Sequence, residues 1–165
     1  MTITPINVFS QSNALQVFHN LNGSSRAACR HRALVVAVQY DDQVWLEVPR
    51  DGYTRLPGDN SMKLEGCLID AEDIVELLRE SGDYHDHNIR VLADIPSLPA
   101  SQQPTKQNIL DGIEWLVDGC RSEDFRFFYY AGHGVQIQDY NGDEVDGLDE
   151  GIFTTPLLDL IILKS

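Results

Sequence analysis

One histidine is the residue of this chain best placed to do chemistry. His133 lies between Gly132 and Gly134, directly after the aromatic run Phe125–Tyr130, which is typical of a buried strand. Histidine exchanges protons near neutral pH, and α/β folds bind their ligands at the carboxyl ends of parallel strands. His133 is therefore a candidate acid/base group, with an ordinary loop histidine as the alternative. We expect the two glycines to adopt backbone angles that other residues resist and to let a substrate approach closely.

The acidic segment 139–150 is the second candidate for chemistry. Four of its side chains match the first, third, fifth and twelfth places of an EF-hand calcium loop: Asp139, Asn141, Asp143 and Glu150. Glu144 occupies the place that needs glycine, and the preceding element is predicted to be a strand, so a true EF-hand is not expected. A loop that attracts Ca²⁺ and a solvated run of charge both stay open as interpretations.

Asp70 is the third candidate, at the start of a predicted helix. Its negative charge in the first turn would be favoured by the helix dipole, which alone could explain it. The alternative is a buried carboxylate that pairs with a cationic side chain of a substrate.

Alternating strands and helices must position these residues. The hydrophobic pattern predicts strands over 33–38, 89–93 and 125–130, and helices over 70–80 and 106–118. Thr105 is the predicted N-cap of the second helix. Residues 41–62 read as a long loop with a small hairpin near 44–48. This order predicts an α/β fold built on a parallel sheet with right-handed crossovers.

Net charge and cysteine content limit which classes of partner and which cellular compartment are expected. The 165 residues suit a single domain, and the net charge of −14 argues against a nucleic-acid partner while suiting a basic peptide or a divalent cation. The three cysteines, Cys29, Cys67 and Cys120, show neither zinc-site spacing nor a disulfide framework. No signal peptide pattern or membrane-spanning run is evident, so we expect a cytoplasmic protein with no membrane partner.

Five ordered segments closely resemble the metacaspases, the caspase-like cysteine peptidases of family C14 in clan CD. They are LEGCLIDA at 64–71, PTKQNI at 104–109, WLV at 115–117, YAGHG at 130–134 and GDEVDGLDE at 142–150. The likeness covers about residues 32–152, and five motifs in order make a chance match very unlikely.

The resemblance implies a fold, an activity and site residues. The fold would be the N-terminal part of a three-layer caspase-haemoglobinase sheet, parallel and flanked by helices. The activity would be that of a cysteine endopeptidase, whose Cys/His dyad cleaves basic peptide or protein substrates after Arg or Lys. By the same resemblance His133 is the catalytic histidine, Cys67 and Asp70 line the S1 pocket, and Asp149 is one ligand of an activating Ca²⁺ site. A carboxylate suits an Arg side chain because two hydrogen bonds can pair them.

Two departures from the family pattern bear on this expectation. Ala131 stands where the family usually has serine, and the pattern ends after Gly151-Ile152. The family's Asp-x-Cys-His-Ser-Gly segment, which carries the nucleophilic cysteine, does not occur in the sequence. Cys29, Cys67 and Cys120 lie in other contexts, and we expect each to be a structural or incidental thiol.

The expected organisation is a flexible leader at 1–31, a partial peptidase C14 domain at 32–152 and a divergent tail at 153–165. The expected function is a metacaspase-type cysteine endopeptidase whose nucleophile is missing, so that the chain alone is inactive. The alternative is a non-enzymatic pseudo-protease that pairs with a full-length metacaspase, helped by an open edge at the third strand. A calcium-binding loop protein is the third interpretation.

Overall fold

The structure is a computed structural model that describes residues 14, 16–19, 21, 30–41, 62–139, 142, 144, 146–155 and 159–163. Its centre is a parallel sheet of β1 (His31–Ala37), β2 (Ile89–Ala93) and β3 (Phe125–Ala131) in the order β2-β1-β3. Two helices connect these strands, α1 (Cys67–Glu80) and α2 (Lys106–Val117). The predicted α/β fold, a parallel sheet flanked by helices, is confirmed.

The ends of the helices agree with the sequence except at the start of α1. Thr105 caps α2 as predicted, because its Oγ1 accepts a hydrogen bond from the Asn108 amide at 3.2 Å. Helix α1 begins three residues before the predicted Asp70, at Cys67, after Gly66 with φ of 120°. A left-handed φ of this size favours glycine, so Gly66 sets the direction in which the chain enters the helix. The predicted hairpin at 44–48 lies outside the described residues.

Strand β1 is buried on both faces, and its alternating side chains separate two cores. Ala33, Val35 and Ala37 pack with the apolar face of α1, whereas Leu34 and Val36 pack with α2. The second contact is close, since a Cβ built on Gly112 of α2 would lie 2.9 Å from Leu34 Cδ2. Continuous β-branched sequence is typical of such a doubly covered strand, which is why the pattern identified it.

A second sheet was not predicted. Strands β4 (Gly134–Gln138), β5 (Leu148–Phe153) and β6 (Leu160–Leu163) pair antiparallel in the order β4-β5-β6. Ile152 and Ile161 join the core on the α2 side of the parallel sheet. Strand β6 lies in the segment expected to be a divergent tail, so that part of the chain is packed in the fold.

Part of the expected flexible leader is also packed. Ala14, Phe18 and Leu21 are fully buried in the α1-side core. The Val91 amide donates to Leu21 O at 3.1 Å, and Gln102 Nε2 donates to Phe18 O at 3.2 Å. The structure therefore differs from the expectation at these residues, whose i, i+4, i+7 spacing is typical of a helix face.

None of the helices in the described ranges has the length and apolar character that crossing a membrane requires.

Candidate active site

The candidate site lies at the carboxyl ends of the three parallel strands. Tyr40 follows β1, Asp94 follows β2, and His133 follows β3, while Cys67 begins α1 beside them. Parallel strands deliver their carboxyl ends to one edge of the sheet, so residues distant in sequence meet there. The topology thus places His133 at the carboxyl ends of the parallel strands, where the sequence predicted it.

A backbone carbonyl orients the imidazole of His133. Its Nε2 lies 2.7 Å from Met62 O, and its ring centroid is 5.0 Å from that of Tyr40. Because a carbonyl oxygen only accepts hydrogen bonds, Nε2 must carry the proton in this contact. Nδ1 is then the nitrogen that carries the lone pair, so the neutral ring presents its basic atom on the other side.

The main chain of His133 is held on both sides. Its amide donates to Tyr40 Oη at 3.2 Å, and its carbonyl accepts from Tyr130 Oη and from the Phe153 amide, each at 3.1 Å. These contacts join the loop that carries the histidine to the end of β5 in the second sheet.

The two glycines around His133 act differently from the sequence expectation. Neither is among the described glycines with positive φ. Gly132 is needed for space instead, because an added Cβ would lie 2.7 Å from Tyr130 Cζ and 3.0 Å from Tyr40 Oη. Gly134 meets only an ordinary contact, 3.7 Å from Gly151 O. The expectation of special backbone angles is therefore wrong. Gly132 is needed because two tyrosine side chains pack against it, and the expected approach of a substrate stays a prediction.

Cys67 and Asp70, the residues expected at an S1 pocket, lie together near Tyr129. Cys67 is buried, and burial raises the pKa of its thiol, with a further rise from the charges of Asp70 and Asp94. A thiol that stays protonated is a poor nucleophile, which agrees with the structural role expected for Cys67. The pKa of Tyr129 is raised mainly by burial and then by Asp70 and Cys67. Asp70 itself is exposed rather than buried, so its carboxylate is accessible to a cation.

The acidic segment runs from the end of β4 into the start of β5, so strands rather than helices flank it, in agreement with the expectation that it is not a true EF-hand. The carboxylate of Asp139 accepts the Gly142 amide at 2.9 Å and the Glu144 amide at 3.0 Å, which stabilises the turn. Asp149 lies on β5 and is 6% exposed. Within the described residues no three acidic, histidine or cysteine side chains come together as metal ligands. Asn141 and Asp143 lie outside the described residues, so the calcium interpretation of this segment stays a prediction.

Sequence reasoning missed three contributors to the site. Tyr40 and Asp94 each follow a predicted strand, so the rule that ligands bind at the carboxyl ends of strands could have indicated both. The Met62 carbonyl had no comparable signal, because any residue carries that group.

Fold and site together define an α/β domain with a histidine-centred site at one edge of a parallel sheet. The sequence model of the metacaspase peptidase C14 domain matches residues 31–158, most of the chain. The chain therefore belongs to the metacaspase family, and the resemblance seen in its motifs is confirmed.

Known relatives match only part of their length. Metacaspase-1 of Sclerotinia sclerotiorum is 44% identical over 91 residues, which are 55% of this chain and 21% of that protein. Metacaspase-1B of Neurospora crassa is 37% identical over 124 residues, 75% of this chain and 25% of that protein. The chain thus spans about a quarter or less of the curated relatives that it matches.

A solved structure supports the fold alone. A protein from Geobacter sulfurreducens, determined by structural genomics, superposes with a TM-score of 0.52 at 24% sequence identity. The match covers 81% of this chain and 41% of the other.

Proposed function

We propose that this chain carries the histidine and the S1 residues of a metacaspase-type cysteine endopeptidase that cleaves after Arg or Lys. The observation that carries the proposal is the position of His133, which lies at the carboxyl edge of the sheet with its imidazole oriented by Met62 O at 2.7 Å. The proposed setting is the cytoplasm, and the proposed partners are basic peptides or proteins.

In this proposal His133 is the acid/base group. Nδ1 accepts the proton of a cysteine thiol, and the resulting thiolate attacks the scissile carbonyl carbon. The imidazolium then returns the proton to the leaving amine, which releases the C-terminal product and leaves an acyl-enzyme for water to hydrolyse. The Met62 carbonyl supports this role, because its hydrogen bond to Nε2–H favours the tautomer in which Nδ1 can accept the proton.

Asp70 supplies specificity in this proposal. It is exposed beside Cys67, at the carboxyl ends of the strands, and both residues raise the pKa of Tyr129. An exposed carboxylate beside a half-buried tyrosine can pair with a guanidinium or ammonium group. The net charge of −14 also favours the approach of a basic substrate.

In this proposal the nucleophile is supplied by residues outside this sequence. Cys67 is buried with a raised thiol pKa, and Cys120 lies before the amino end of β3, the strand whose other end leads to His133. Seven residues of strand span about 20 Å, too far for a thiol to reach the imidazole. We therefore infer that the chain alone does not turn over peptides.

The test is a peptidase assay of the purified 165-residue chain with a reporter peptide that has Arg before the scissile bond. We expect no cleavage above the buffer rate. Cleavage that disappears in His133→Ala would show that the chain is an enzyme by itself and would overturn this part of the proposal.

Binding of an uncleaved Arg peptide tests the S1 assignment separately. Asp70→Asn should weaken binding about tenfold, since it removes the charged partner of the guanidinium. Asp73→Asn, an exposed acid one turn further along α1, is the matched control. Equal loss in the two variants would mean that only net charge matters, and the S1 assignment would fail.

A second candidate function is a binding module that pairs with a full-length metacaspase. The free edge of β3 favours it, because this strand has a neighbour on one side only in the described sheet. Phe125 and Phe128 on β3 are 57% and 41% exposed. An uncovered parallel edge with exposed aromatic residues invites a further strand.

Two lysine substitutions distinguish specific pairing at the free edge of β3 from non-specific hydrophobic association. Phe128→Lys should abolish binding to a full-length metacaspase in size-exclusion and calorimetric titrations. Ile162→Lys changes a residue of similar exposure, 43%, on the second sheet and should leave binding intact. A wild-type chain that binds no relative, or that loses binding equally in both variants, would rule out this function.

Calcium binding at Asp149 is retained as a prediction, and no step of the mechanism passes through the ion. Calorimetric titration with CaCl₂ tests it directly. Binding that disappears in Asp149→Ala would support a calcium site, whereas no binding, or binding that this substitution leaves unchanged, would refute it.

A further inference from the structure

Tyr40 has an unusual backbone conformation at the carboxyl edge of the sheet. Its φ is 59°, and among the described residues it is the only non-glycine with positive φ. A bulky aromatic residue rarely adopts this region, and such strain persists only where the surroundings enforce it. The structure should therefore contain contacts that hold Tyr40 in place.

Asp94 provides these contacts. Its carboxylate accepts the Tyr40 amide at 2.7 Å and the Gln39 amide at 2.9 Å, so the end of β2 holds the turn after β1. Burial raises the pKa of Asp94, and the two amide hydrogen bonds oppose that rise. A half-buried carboxylate used in this way stabilises one conformation of the turn.

The held side chain of Tyr40 reaches the histidine. Its hydroxyl accepts the His133 amide at 3.2 Å and lies 2.9 Å from Tyr130 Oη, which in turn contacts His133 O at 3.1 Å. These contacts can form one directed chain, from the amide of His133 through the two hydroxyls to its own carbonyl. Hydrogen bonds in such a chain strengthen one another.

The same hydroxyls also lie within hydrogen-bond distance of the second sheet, where either can direct its single proton to Phe153 O instead of along that chain. Phe153 O lies 3.0 Å from Tyr40 Oη and 2.7 Å from Tyr130 Oη. The Phe153 amide donates to His133 O at 3.1 Å. Three distant parts of the chain, after β1, after β3 and at the end of β5, therefore meet at the backbone of His133.

We propose that Tyr40 is a positioning residue for His133. Asp94 holds the Tyr40 backbone, and the Tyr40 hydroxyl, which contacts Tyr130 Oη, sets the backbone and hence the imidazole of the histidine. Tyr40 touches no reacting atom in this role. The benefit of positioning His133 rests on its proposed acid/base function, but the contacts that position it do not. Its test reads the conformation of His133 rather than turnover, so the two proposals can fail separately.

The experiment is NMR on the full 165-residue chain with Tyr40→Phe, which removes the hydroxyl and keeps the ring. We expect hydrogen exchange of the His133 amide to become about tenfold faster, the effect of losing one partly buried hydrogen bond. The imidazole ¹⁵N shifts should move away from a single Nε2–H tautomer, since the ring no longer holds its position against Met62 O.

Tyr84→Phe is the matched control, because Tyr84 is half-buried and lies against His31 at the amino end of β1. It should leave both His133 signals unchanged. A purely structural role for Tyr40 would instead accelerate exchange at core amides such as Val35 by the same factor as at His133. That result, or unchanged His133 signals in Tyr40→Phe, would overturn the proposal.

Asp94→Asn keeps the proposal testable if Tyr40→Phe does not fold. An amide side chain keeps one acceptor oxygen for two backbone amides, so the turn at Tyr40 loosens without losing its cover. We expect a smaller acceleration at the His133 amide, roughly threefold. A wild-type exchange rate at His133 in this variant would also overturn the proposal.

Discussion

The parallel and antiparallel sheets differ in what holds them. Strand β1 is covered on both faces and contributes fully buried residues to two cores. Among the described side chains of the antiparallel sheet, Ile152 and Ile161 belong to the buried core, and Ile162 on β6 is 43% exposed. The first sheet is thus stabilised by hydrophobic burial, whereas the second depends more on backbone pairing and on its contacts with the first.

The two sheets also contribute differently to the site: the parallel sheet places His133, and the antiparallel sheet helps to hold it. The parallel sheet brings His133 to its carboxyl edge, but the amide and carbonyl of Phe153 in the second sheet help to hold the residue there. A sheet with little core of its own can still matter for function because it supplies backbone groups at the right place.

The largest effect should come from the core of the parallel sheet. Leu34→Ala removes a fully buried side chain between β1 and α2 and should lower the free energy of unfolding by about 3 kcal/mol. Ile162→Ala on the second sheet should change it by about 0.5 kcal/mol or less. Urea unfolding measures both, and comparable losses would contradict the contrast between the sheets.

An intermediate effect is expected where the two sheets meet. Gly132→Ala forces a Cβ against Tyr130 and Tyr40 and should cost about 2 kcal/mol. Gly134→Ala, two residues later, meets only a 3.7 Å contact and should stay within about 0.5 kcal/mol of wild type. If thermal or urea unfolding gives equal losses, close approach is not the reason for Gly132.

The smallest effect concerns charge at the carboxyl edge. The negative charge of Asp70 disfavours the Cys67 thiolate and so raises the thiol pKa. Asp70→Asn should therefore lower this pKa and increase the thiolate fraction at a given pH. Alkylation of Cys67 by iodoacetamide at pH 8.5, followed by mass spectrometry, should become roughly twofold faster.

Asp73→Asn is the control for that experiment, because Asp73 does not contribute to the pKa of Cys67. An unchanged alkylation rate in Asp70→Asn, or an equal increase in both variants, would show that Cys67 and Asp70 do not share one site.

The sequence predicted the parallel sheet well because its signals are local and repeated. The apolar run of β1, the helical spacing of α1 and α2, and the Thr105 cap each depend on residues close together in the chain. The antiparallel sheet gave a weaker signal, since the alternation of β4 runs over only five residues and β5 contains charged ones. Only pairing between segments makes them strands.

The amino-acid sequence by itself determined the family and the α/β class, and it indicated His133 as the candidate acid/base residue, because side-chain types and their order carry that information. Tertiary structure decided which atoms surround the histidine. The Met62 carbonyl, the strained turn at Tyr40 and the need for glycine at 132 arise from contacts between segments far apart in the chain. Backbone groups are the same in every residue, so only the folded arrangement can show which of them hold His133.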